Sequence, residues 1–559
     1  MERSGFVIVC CALGVAGALG GCFDKGVIAA NVGGGDAAQG GLGGLGGGTG
    51  GVGGIGGAGE VTSASSTGGG GGGECDPCYE GPPETRDVGA CKSGCLRDGV
   101  CDGDVFPEAE RCATADDENC DEEPSCTGTY EWSIRIGENG ENGDKEGLGV
   151  AFDGEGNILV AGSFTGALGS TPSLGSNDGF ITKLKPSGDT YANWPRTFGG
   201  PGTDRCSVVA RDADNNVIMA GTFDGDANIG GMSFHSMGST DVFVAKLDPQ
   251  GNVIWVASIS GVNPELVNGI AVDSENNIVV AGEIGTTATL RDSMARTTRM
   301  TGEGGGDIFV VKLGGAGGLL WDSHFGNTSP QAALDVAITP DDDIVVVGRS
   351  TGTVNFGRFV LSATDQDAFV AKLDGTTGEP SWAKIFGGSM EQEFAGVAAD
   401  REGNIVVGGS TRGAINFDGL FSAYAGGLDA VVAAFGADGR HLWNHSYGDG
   451  EDQKVLGVAA DQAGNVLLVG EFESSLNVLA SPLASRGGLD AFLAKLDPAG
   501  ETVWARSFGR DMDQRATAVD VDALGTIVFT GMFSGSIDLG GGLMTSQAGH
   551  DAFVAKLQP

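Results

Sequence analysis

Short apolar runs bounded by polar turns follow one another from residue 128 to residue 559, and three kinds of run return in the same order. One is a polar turn that opens into an apolar run, as in GNIVVGG; the next is DAFVAKL or a close variant; the last carries a tryptophan, as in TVWARSF. Runs of this length, separated by Asp-Pro, Gly-Asn and Asn-Asn turns, predict β-strands joined by hairpins. Helical periodicity and helix caps are missing from the sequence pattern, so we predict an all-β chain.

The tryptophans set the period of the pattern. All seven occupy one repeat position, at intervals of 61 to 66 residues: Trp132, Trp194, Trp255, Trp321, Trp382, Trp443 and Trp504. A GVAAD-type run before each turn supplies a further strand, so that each repeat contains four short strands. Four-stranded units repeated seven times predict a seven-bladed β-propeller of antiparallel blades over residues 128–559.

The two ends of the repeat region predict how the ring closes. The last repeat stops at Pro559, after its DAFVAKL strand and before any tryptophan strand. The segment YEWSIRIG around Trp132 stands unassigned at the other end. We therefore predict that this N-terminal strand completes the last blade, which removes two open sheet edges. A β-helix or open solenoid would need capping segments instead, and the sequence shows none.

These repeats resemble the bacterial seven-bladed β-propeller repeat, through their D-A-F-V-A-K-L and G-N-I-V-V-A-G type strands, over about three quarters of the chain. The resemblance implies a propeller fold and carries no common activity. Function is therefore expected where the blades differ from one another.

The chain is strongly acidic, with 74 Asp and Glu against 32 Lys and Arg and a formal net charge of −42. This balance argues against nucleic acid as a partner, because phosphate binding needs a basic surface. It favours solubility and the binding of cations.

The first residues indicate export. The apolar run from Gly5 to Leu19 is too short to span a bilayer and predicts a signal peptide over residues 1–21. The sequence Leu19-Gly20-Gly21-Cys22 resembles a lipobox, which implies cleavage before Cys22 and acylation of that cysteine. Because Phe23 rather than Asp follows, we expect a cell-envelope lipoprotein of the outer membrane that touches the membrane only through its lipid anchor. An ordinary signal peptide with a cysteine nearby is the alternative.

Within residues 22–73, the stretch from Val32 to Gly73 is almost entirely glycine and other small residues. Such a segment buries too little apolar surface to offset its chain entropy, so we predict a lipidated, flexible tether. As a random coil, its glycine-rich part would span roughly 35–40 Å.

Residues 74–127 form a cysteine-rich module. An even number of cysteines in a short exported segment predicts a disulfide framework whose connectivity the sequence leaves open. The eight cysteines are Cys75, Cys78, Cys91, Cys95, Cys101, Cys112, Cys120 and Cys126. The alternative for Cys75-Asp-Pro-Cys78 is half of a zinc site.

The module also resembles the putative metal-binding motif of exported bacterial proteins, on the segments CYEGPPETRDVGACKSGC and PEAERCATADDENCDEE. The resemblance implies a metal site, although Cys112 and Cys120 stand one residue further apart than in the family and Glu122 replaces a glycine. The candidate ligands are the closely spaced carboxylates Asp116, Asp117, Glu118 and Asp121. Calcium is the metal that such oxygens suit. A simply solvated acidic loop is the alternative.

The two faces of the propeller differ in sequence. The tight hairpin turns share one face, called here the turn face. The long segments between the second and third strands and the connections between blades share the other, called here the variable face, which is our candidate binding face. Its candidate residues are the arginines of an insertion in blade 3 and the acids of blade connections: Arg291, Arg296, Arg299, Asp204, Asp449, Asp452, Asp511 and Asp513. The arginines suit an anionic partner such as a sugar acid, or else neutralise nearby acidic loops. The acidic residues would contact a ligand, or else they occur there only because the whole protein is acidic.

No familiar catalytic motif occurs in the sequence, and the unrepeated polar residues are scattered over several blades. His441 and His445, which flank Trp443, are expected on the blade surface. Cys206 is expected to be a small buried apolar residue. We therefore expect a monomeric scaffold that binds an extracellular protein or glycan and has no catalytic residues. The alternative is a propeller hydrolase or lyase that acts on extracellular polymers.

Overall fold

The computed structural model describes residues 77–78, 94–97, 100–102, 128–137, 142–479, 481–547 and 549–559. In the cysteine-rich module it describes only the backbone of three short strands, Pro77–Cys78, Gly94–Arg97 and Val100–Asp102, which form an antiparallel sheet with the second strand in the middle. The other predictions for the N-terminal region lie outside the described residues or side chains and stay predictions: the signal peptide, acylation at Cys22, the tether, the disulfides, and the metal ligands Asp116, Asp117, Glu118 and Asp121.

The rest of the described chain is a seven-bladed β-propeller with four antiparallel strands in every blade, as predicted, and it contains no helix. From the inner to the outer strand, the blades are: blade 1, Lys145–Phe152, Ile158–Phe164, Asp178–Leu184 and Arg196–Phe198; blade 2, Arg205–Arg211, Val217–Ile229, Met232–Leu247 and Val253–Gly261; blade 3, Leu266–Val272, Ile278–Ile284, Asp307–Leu313 and Leu319–Phe325; blade 4, Gln331–Ile338, Ile344–Phe356, Phe359–Leu373 and Pro380–Phe386; blade 5, Gln392–Ala399, Ile405–Thr411, Asp429–Phe435 and His441–Tyr447; blade 6, Gln453–Ala460, Val466–Phe472, Asp490–Leu496 and Thr502–Phe508; blade 7, Gln514–Val521, Ile527–Phe533, Asp551–Leu557 and Tyr130–Ile136.

The predicted closure is confirmed, because the outer strand of blade 7 comes from the N-terminal side of the ring. Tyr130–Ile136 pairs antiparallel with Asp551–Leu557 and places Trp132 opposite Lys556. The amide of Gly128 also donates to the carbonyl of Pro559 at 2.7 Å. Both ends of the repeat region are therefore fastened in one sheet.

Each tryptophan packs on a glycine of the next blade. The seven pairs are Trp132 with Gly188, Trp194 with Gly251, Trp255 with Gly317, Trp321 with Gly378, Trp382 with Gly439, Trp443 with Gly500 and Trp504 with Gly128. The glycine lies in the turn between the third and outer strands, or, in blade 7, where the chain ends replace that turn. A Cβ on Gly500 would lie 2.7 Å from Cδ2 of Trp443, and the φ of Gly500 is +86°. The tryptophan recurs because it joins neighbouring blades, and the glycine recurs because a side chain would both clash and be strained.

The Lys of the DAFVAKL strand and the Asp before the inner turn form a buried ion pair within a blade. The nitrogen–oxygen distances are 2.8 Å for Lys183 and Asp153, 2.7 Å for Lys246 and Asp212, 2.7 Å for Lys312 and Asp273, and 3.4 Å for Lys495 and Asp461. Three blades depart: Ala434 stands at the lysine position of blade 5, Lys372 of blade 4 pairs with Asp343 at 3.0 Å, and Lys556 of blade 7 pairs with Glu131 at 3.0 Å. These repeated charges join the third strand to the inner turn of the same blade.

The long second-to-third segments fold down the outer wall of the ring. Each has a short hairpin whose apolar side chain packs against the outer strand of the preceding blade. These side chains are at most 3% exposed: Leu168, Ile229, Leu290, Phe356, Phe417, Leu476 and Ile537. We call these segments the outer hairpins. The expectation that they remain on the variable face is wrong, because the grooves between blades offer their apolar residues a place to be buried.

Candidate functional site: the axial channel and the two faces

The inner strands of all seven blades enclose an axial channel. Every inner strand has a β-bulge at the same repeat position, which bends the strand and turns the extra residue. Six of the seven bulged residues line a narrow neck of about 210 Å³: Leu148, Asn268, Leu334, Ala395, Leu456 and Thr517. On the turn face, the channel widens into a funnel of about 1000 Å³ between the inner turns of blades 1, 2, 3, 6 and 7.

The funnel wall is made of repeated turns with a fixed internal geometry. In blade 1, Oδ1 of Asp153 accepts the amides of Glu155 and Asn157, both at 2.9 Å, and Oδ2 accepts the side-chain amide of Asn157 at 2.9 Å. Burial by itself raises the pKa of Asp153, but Lys183 and these amide donors outweigh it and hold the pKa below its ordinary value. The same arrangement returns at Asp212, Asp273, Asp400 and Asp461. These carboxylates already accept hydrogen bonds from the amides of their own turns.

The turns are also joined to one another around the funnel. The amide of Gly154 donates to Oδ1 of Asn215 in blade 2 at 2.7 Å, and the amide of Ala213 donates to Oδ1 of Asn276 in blade 3 at 2.8 Å. Asn215 and Asn276 have φ values of 60° and 64°, a conformation that asparagine tolerates better than most residues. The funnel is therefore a preformed cavity with a rigid wall.

Two carboxyls in the channel have unusual acidity. Asp335 lies in the neck, where burial raises its pKa to about 7 although the amides of Val397 and Val336 lower it. Asp520 lies in the funnel wall, where burial raises its pKa to about 6 although it accepts the amide of Phe152 at 2.7 Å. Both hydrogen bonds reach the inner strand of the next blade, so these residues hold neighbouring blades together at the axis. Sequence analysis missed both, because only their departure from the repeat at those positions marks them.

Unrepeated charged residues also meet in pairs at the variable-face end of the inner strands. Glu146 of blade 1 lies 3.7 Å from Arg205 of blade 2, and Arg349 of blade 4 lies 3.2 Å from Glu393 of blade 5. Glu471 of blade 6 pairs in the same way with Arg515 of blade 7, and with Lys454 of its own blade at 3.2 Å. These residues are dispersed in the sequence, and only the closed ring brings them together. Glu471 and Arg515 are buried and the other two pairs are partly buried, and all three cross-link neighbouring blades.

The acidic residues proposed for the variable face have different environments. Asp204 is buried and accepts the amide of Gly200 at 2.8 Å. Asp449 shapes its own loop: burial raises its pKa, but the amide of Glu451 and the hydroxyl of Ser475 prevail and lower it to about 2. Asp452 accepts the amide of Leu428 at 2.9 Å.

The two acids of the next connection are exposed. Oδ1 of Asp513 accepts the amide of Leu489 at 3.1 Å, and Asp511 lies beside it on the variable face. The ring places all five candidate acids at three separate blade connections and does not bring them into one site.

The three arginines lie on the outer wall and not on the variable face. Their insertion forms a hairpin, Thr287–Arg291 and Thr297–Thr301, which pairs with the outer strand of blade 2 and extends that sheet to six strands. Its underside is buried, with Ala288, Leu290 and Met300 at most 2% exposed. We call this element the arginine hairpin. The insertion is long enough to add two strands to the neighbouring blade, which carries it away from the variable face.

The arginine hairpin brings two of its arginines together. Arg291 stands opposite Thr297 and Arg299 stands opposite Thr289, so that both guanidinium groups project from the exposed side of the hairpin. Arg296 instead lies in the turn, where Nε donates to Oδ2 of Asp292 at 2.6 Å. Arg291 and Arg299 are thus the pair that remains available to an anionic partner.

Two histidines of blade 5 and the cysteine of blade 2 are parts of the packing of the ring. His441 stacks on Phe417 at a centroid distance of 5.4 Å, and His445 stacks on Tyr447 at 6.0 Å. Cys206 is fully buried, as expected, and burial raises the pKa of its thiol. The described residues contain no group of three or more His, Cys, Asp or Glu side chains arranged to hold a metal ion. Within the same residues, no helix is long and apolar enough to cross a membrane.

No family model matches the chain. It is 31% identical over 185 residues to the uncharacterized WD repeat-containing protein L264 of Acanthamoeba polyphaga mimivirus, which is 30% of this chain and 13% of the viral protein. It is 26% identical over 192 residues to the regulatory protein FlaEY of Caulobacter vibrioides, which is 32% of this chain and 19% of that protein. The chain thus matches less than a fifth of the length of either relative.

Solved structures of low sequence identity cover the propeller. Virginiamycin B lyase from Staphylococcus aureus has a TM-score of 0.38 and 7% identity over 76% of this chain and 98% of its own. Sqt1 from Chaetomium thermophilum has a TM-score of 0.39 and 10% identity over 76% of this chain and 98% of its own. On its own geometry, the chain is a closed seven-bladed β-propeller built from sequence repeats.

Proposed function

We propose that this protein is a surface-anchored lipoprotein whose propeller is a binding scaffold for an extracellular protein or glycan, and that the ligand enters the axial funnel on the turn face. The observation that carries the proposal is the funnel itself, a preformed cavity of about 1000 Å³. Cavities of this size suit a peptide loop or the end of a sugar chain.

The chemistry of the wall favours binding over catalysis. Lysines and turn amides bind the carboxylates of Asp153, Asp212, Asp273 and Asp461, and they hold the pKa of the first three below its ordinary value. A general acid or base needs a free proton site near the working pH, and these groups do not offer one. They do offer fixed acceptors, which suit hydroxyl and amide donors of a ligand.

A second candidate function is a hydrolase or lyase that acts on extracellular polymers. Asp335 favours it, because a carboxyl with a pKa of about 7 in the neck of a channel has the acidity that a general acid requires. Asp335→Asn separates the two functions: an enzyme would lose turnover while it still bound its polymer, whereas a scaffold would have no turnover to lose.

The cell-envelope setting is part of the same proposal. Cys22 would carry the lipid, the glycine-rich segment up to residue 73 would hold the propeller away from the outer membrane, and the cysteine-rich module would be cross-linked by disulfides. Calcium is the metal proposed for the module, at Asp116, Asp117, Glu118 and Asp121. Membership in the bacterial propeller repeat family and in the metal-binding motif family is likewise proposed from the resemblance of their motifs.

The test fills the funnel. Ala213 and Ala523 line it with exposed side chains, so Ala213→Trp with Ala523→Trp should block entry. The matched control is Ala499→Trp, at an exposed turn between the third and outer strands of blade 6. The full mature chain would first be screened on arrays of glycans and envelope proteins. Ligands found there should bind the funnel variant at least about tenfold more weakly and the control unchanged, because a filled pocket excludes its ligand. Equal binding to both variants would reject the funnel as the site.

A further inference from the structure

One buried position in each repeat lies at or directly before the start of the inner strand, against the Asp that opens the third strand of the preceding blade. Its occupants in blades 1 to 7 are Lys145, Asp204, Glu265, Gln331, Gln392, Gln453 and Gln514. All seven are at most 2% exposed. Four blades thus use a neutral amide here, one uses a lysine, and two use an acid.

The glutamines show what the position needs. Oε1 of Gln453 accepts the amide of Asp449 at 3.2 Å, and its Nε2 donates to the carbonyl of Glu473 at 3.0 Å. Gln331 makes the equivalent bonds, from the amide of Asn327 at 3.0 Å and to the carbonyl of Thr351 at 2.8 Å. A glutamine here thus uses both its acceptor and its donor, whereas Asp204 only accepts, from the amides of Gly200 at 2.8 Å and Asp224 at 3.2 Å. Lys145 supplies a charge instead, with its Nζ 3.9 Å from Asp551.

Glu265 departs from both patterns. An ionised carboxylate has no donor, and neither Oε1 nor Oε2 of the fully buried Glu265 accepts a well-aligned hydrogen bond, although the amides of Gly261 and Gly285 lie close enough to lower its pKa. It faces Asp241, which is also fully buried and accepts the amides of Met237 at 3.0 Å and Gly261 at 3.2 Å. Within the described part of the chain, no Lys, Arg or His lies within ion-pair distance of either carboxyl.

The surroundings of Glu265 bring no further charge. The end of the blade 2 outer strand supplies Ser260 and Gly261, and the arginine hairpin supplies the carbonyl of Thr287. On the neighbouring strand of blade 3, Glu283 is directed to the opposite junction, where Arg349 and Asp307 act on it. Asp241 is thus the charged group that faces Glu265.

We infer that Glu265 is protonated in the folded protein at neutral pH and donates a hydrogen bond to Asp241, so that the junction of blades 2 and 3 is a pH-sensitive latch. A protonated carboxyl has nearly the shape of the glutamine side chain and supplies the donor that glutamine uses at this position. Loss of this proton places two carboxylates face to face in a buried site, where they repel strongly. The arginine hairpin spans this junction, so the protonation state of Glu265 controls how stably that hairpin packs against the two blades.

The direction of the pH effect follows from the proton balance. Burial, followed by Asp241, raises the pKa of Glu265 to about 8, whereas an unfolded glutamate titrates near 4.5. Between these values the folded chain holds a proton that the unfolded chain has lost. The stabilisation is therefore complete below about pH 4.5 and is lost as the pH rises through about 8.

The test compares the full chain with Glu265→Gln, the residue that four other blades carry at this position. From urea unfolding between pH 5 and pH 8, the ratio of the two unfolding constants should change by about tenfold per pH unit, with the wild type losing stability as the pH rises. Gln453→Glu is the matched gain variant: it faces Asp429 and should acquire the same pH dependence. The infrared band of a protonated carboxyl should be present in the wild type at pH 7 and absent from Glu265→Gln.

Two results would overturn the inference. One is a ratio of unfolding constants that does not change with pH, together with no carboxyl band. The other is a calcium-dependent rise in stability at pH 8 that chelation reverses and Glu265→Gln removes, because a cation and not a proton would then neutralise the pair.

Discussion

At the scale of single residues, each junction between blades is a tryptophan ring seated on a glycine with positive φ. Glycine is required for two reasons: its backbone conformation is strained for other residues, and its Cα lies against the indole. The indole is required for its area, since a large flat side chain covers the edge of the next blade. A change on either side should therefore weaken the whole ring.

Gly500→Ala separates these two requirements. Gly500 needs both the positive φ and the space for Trp443, whereas a Cβ added to Gly225, which has a φ of +73°, would meet nothing within 4 Å. Gly225→Ala should lower the free energy of unfolding by roughly 1–2 kcal/mol, the cost of left-handed backbone. Gly500→Ala should cost about 1–3 kcal/mol more, because the added methyl overpacks the junction. Chemical denaturation measures both, and equal losses would contradict the seating of the indole.

Lys312→Ala tests the buried ion pair within a blade. The side chains of Lys312 and Asp273 are 7% and 1% exposed, so removal of the lysine leaves a buried carboxylate without its cation. We expect a loss of about 3–5 kcal/mol in the free energy of unfolding. The control is Lys384→Ala, whose pair with Asp418 is exposed and should cost less than about 1 kcal/mol. A small effect for both would mean that Asp273 is solvated when the lysine is gone.

At the scale of elements, the outer hairpins fill the grooves that the blades leave between them, and the N-terminal strand completes the sheet of blade 7. The hairpins cover the grooves between neighbouring outer strands with one or two apolar residues each. The N-terminal strand supplies the outer edge of blade 7. The amino acids of these elements are therefore restricted on the side that packs against the blades, whereas those on the side that faces solvent can vary.

The solvent-exposed side of the arginine hairpin carries Arg291 and Arg299. The double variant Arg291→Glu with Arg299→Glu tests whether these two arginines bind an anionic partner. If the pair binds an anionic polymer, retention of the double variant on polygalacturonate at low salt should fall roughly tenfold, because the charges of two side chains at the contact change from positive to negative. Arg440→Glu, at an exposed turn of blade 5, should leave retention unchanged. If the arginines only neutralise nearby acidic loops, the double variant would unfold at lower temperature with its binding intact.

Deletion of Gly128 to Gly137 tests the closing strand. Without it, blade 7 has three strands and an exposed edge, and one junction between neighbours is lost. The thermal unfolding midpoint of the whole propeller should fall and light scattering should rise on heating. A chain that begins at Gly128 is the control and should unfold close to the full protein. Equal behaviour of the two truncations would contradict the need for closure.

At the scale of the whole molecule, the full chain carries a net charge of −42, and its ring is proposed to stand on a flexible, lipid-anchored tether. A closed propeller has no free sheet ends at the closing blade, so it does not depend on a partner to complete it. A large net charge of one sign makes copies of a protein repel one another, which supports the proposal of a monomer.

Cys22→Ser tests the anchor. If Cys22 is acylated, the variant should leave the membrane fraction or fail to be processed, because a multiply acylated cysteine holds a protein stably on a membrane. Cell fractionation and the mass of the intact protein measure both effects. Unchanged membrane association with unchanged mass would show that this cysteine is not the anchor.

The sequence by itself determined the number of blades, the strands and the closure. Each of these rests on local signals, since alternation of apolar residues and the chemistry of two- to four-residue turns act within a repeat. Seven copies of the same signal define the unit, and one spare tryptophan strand at Trp132 identifies the closing partner.

Only the tertiary structure decided where the variable parts lie. Leu290 and Phe417 look in the sequence like members of exposed loops, but they fill grooves that exist only between two assembled blades. The funnel, the ion pairs such as Glu146 with Arg205, and the facing carboxyls of Asp241 and Glu265 likewise join residues of different blades. The closure of the ring determines which of these residues become neighbours, because contacts between repeats depend on distances that no local pattern encodes.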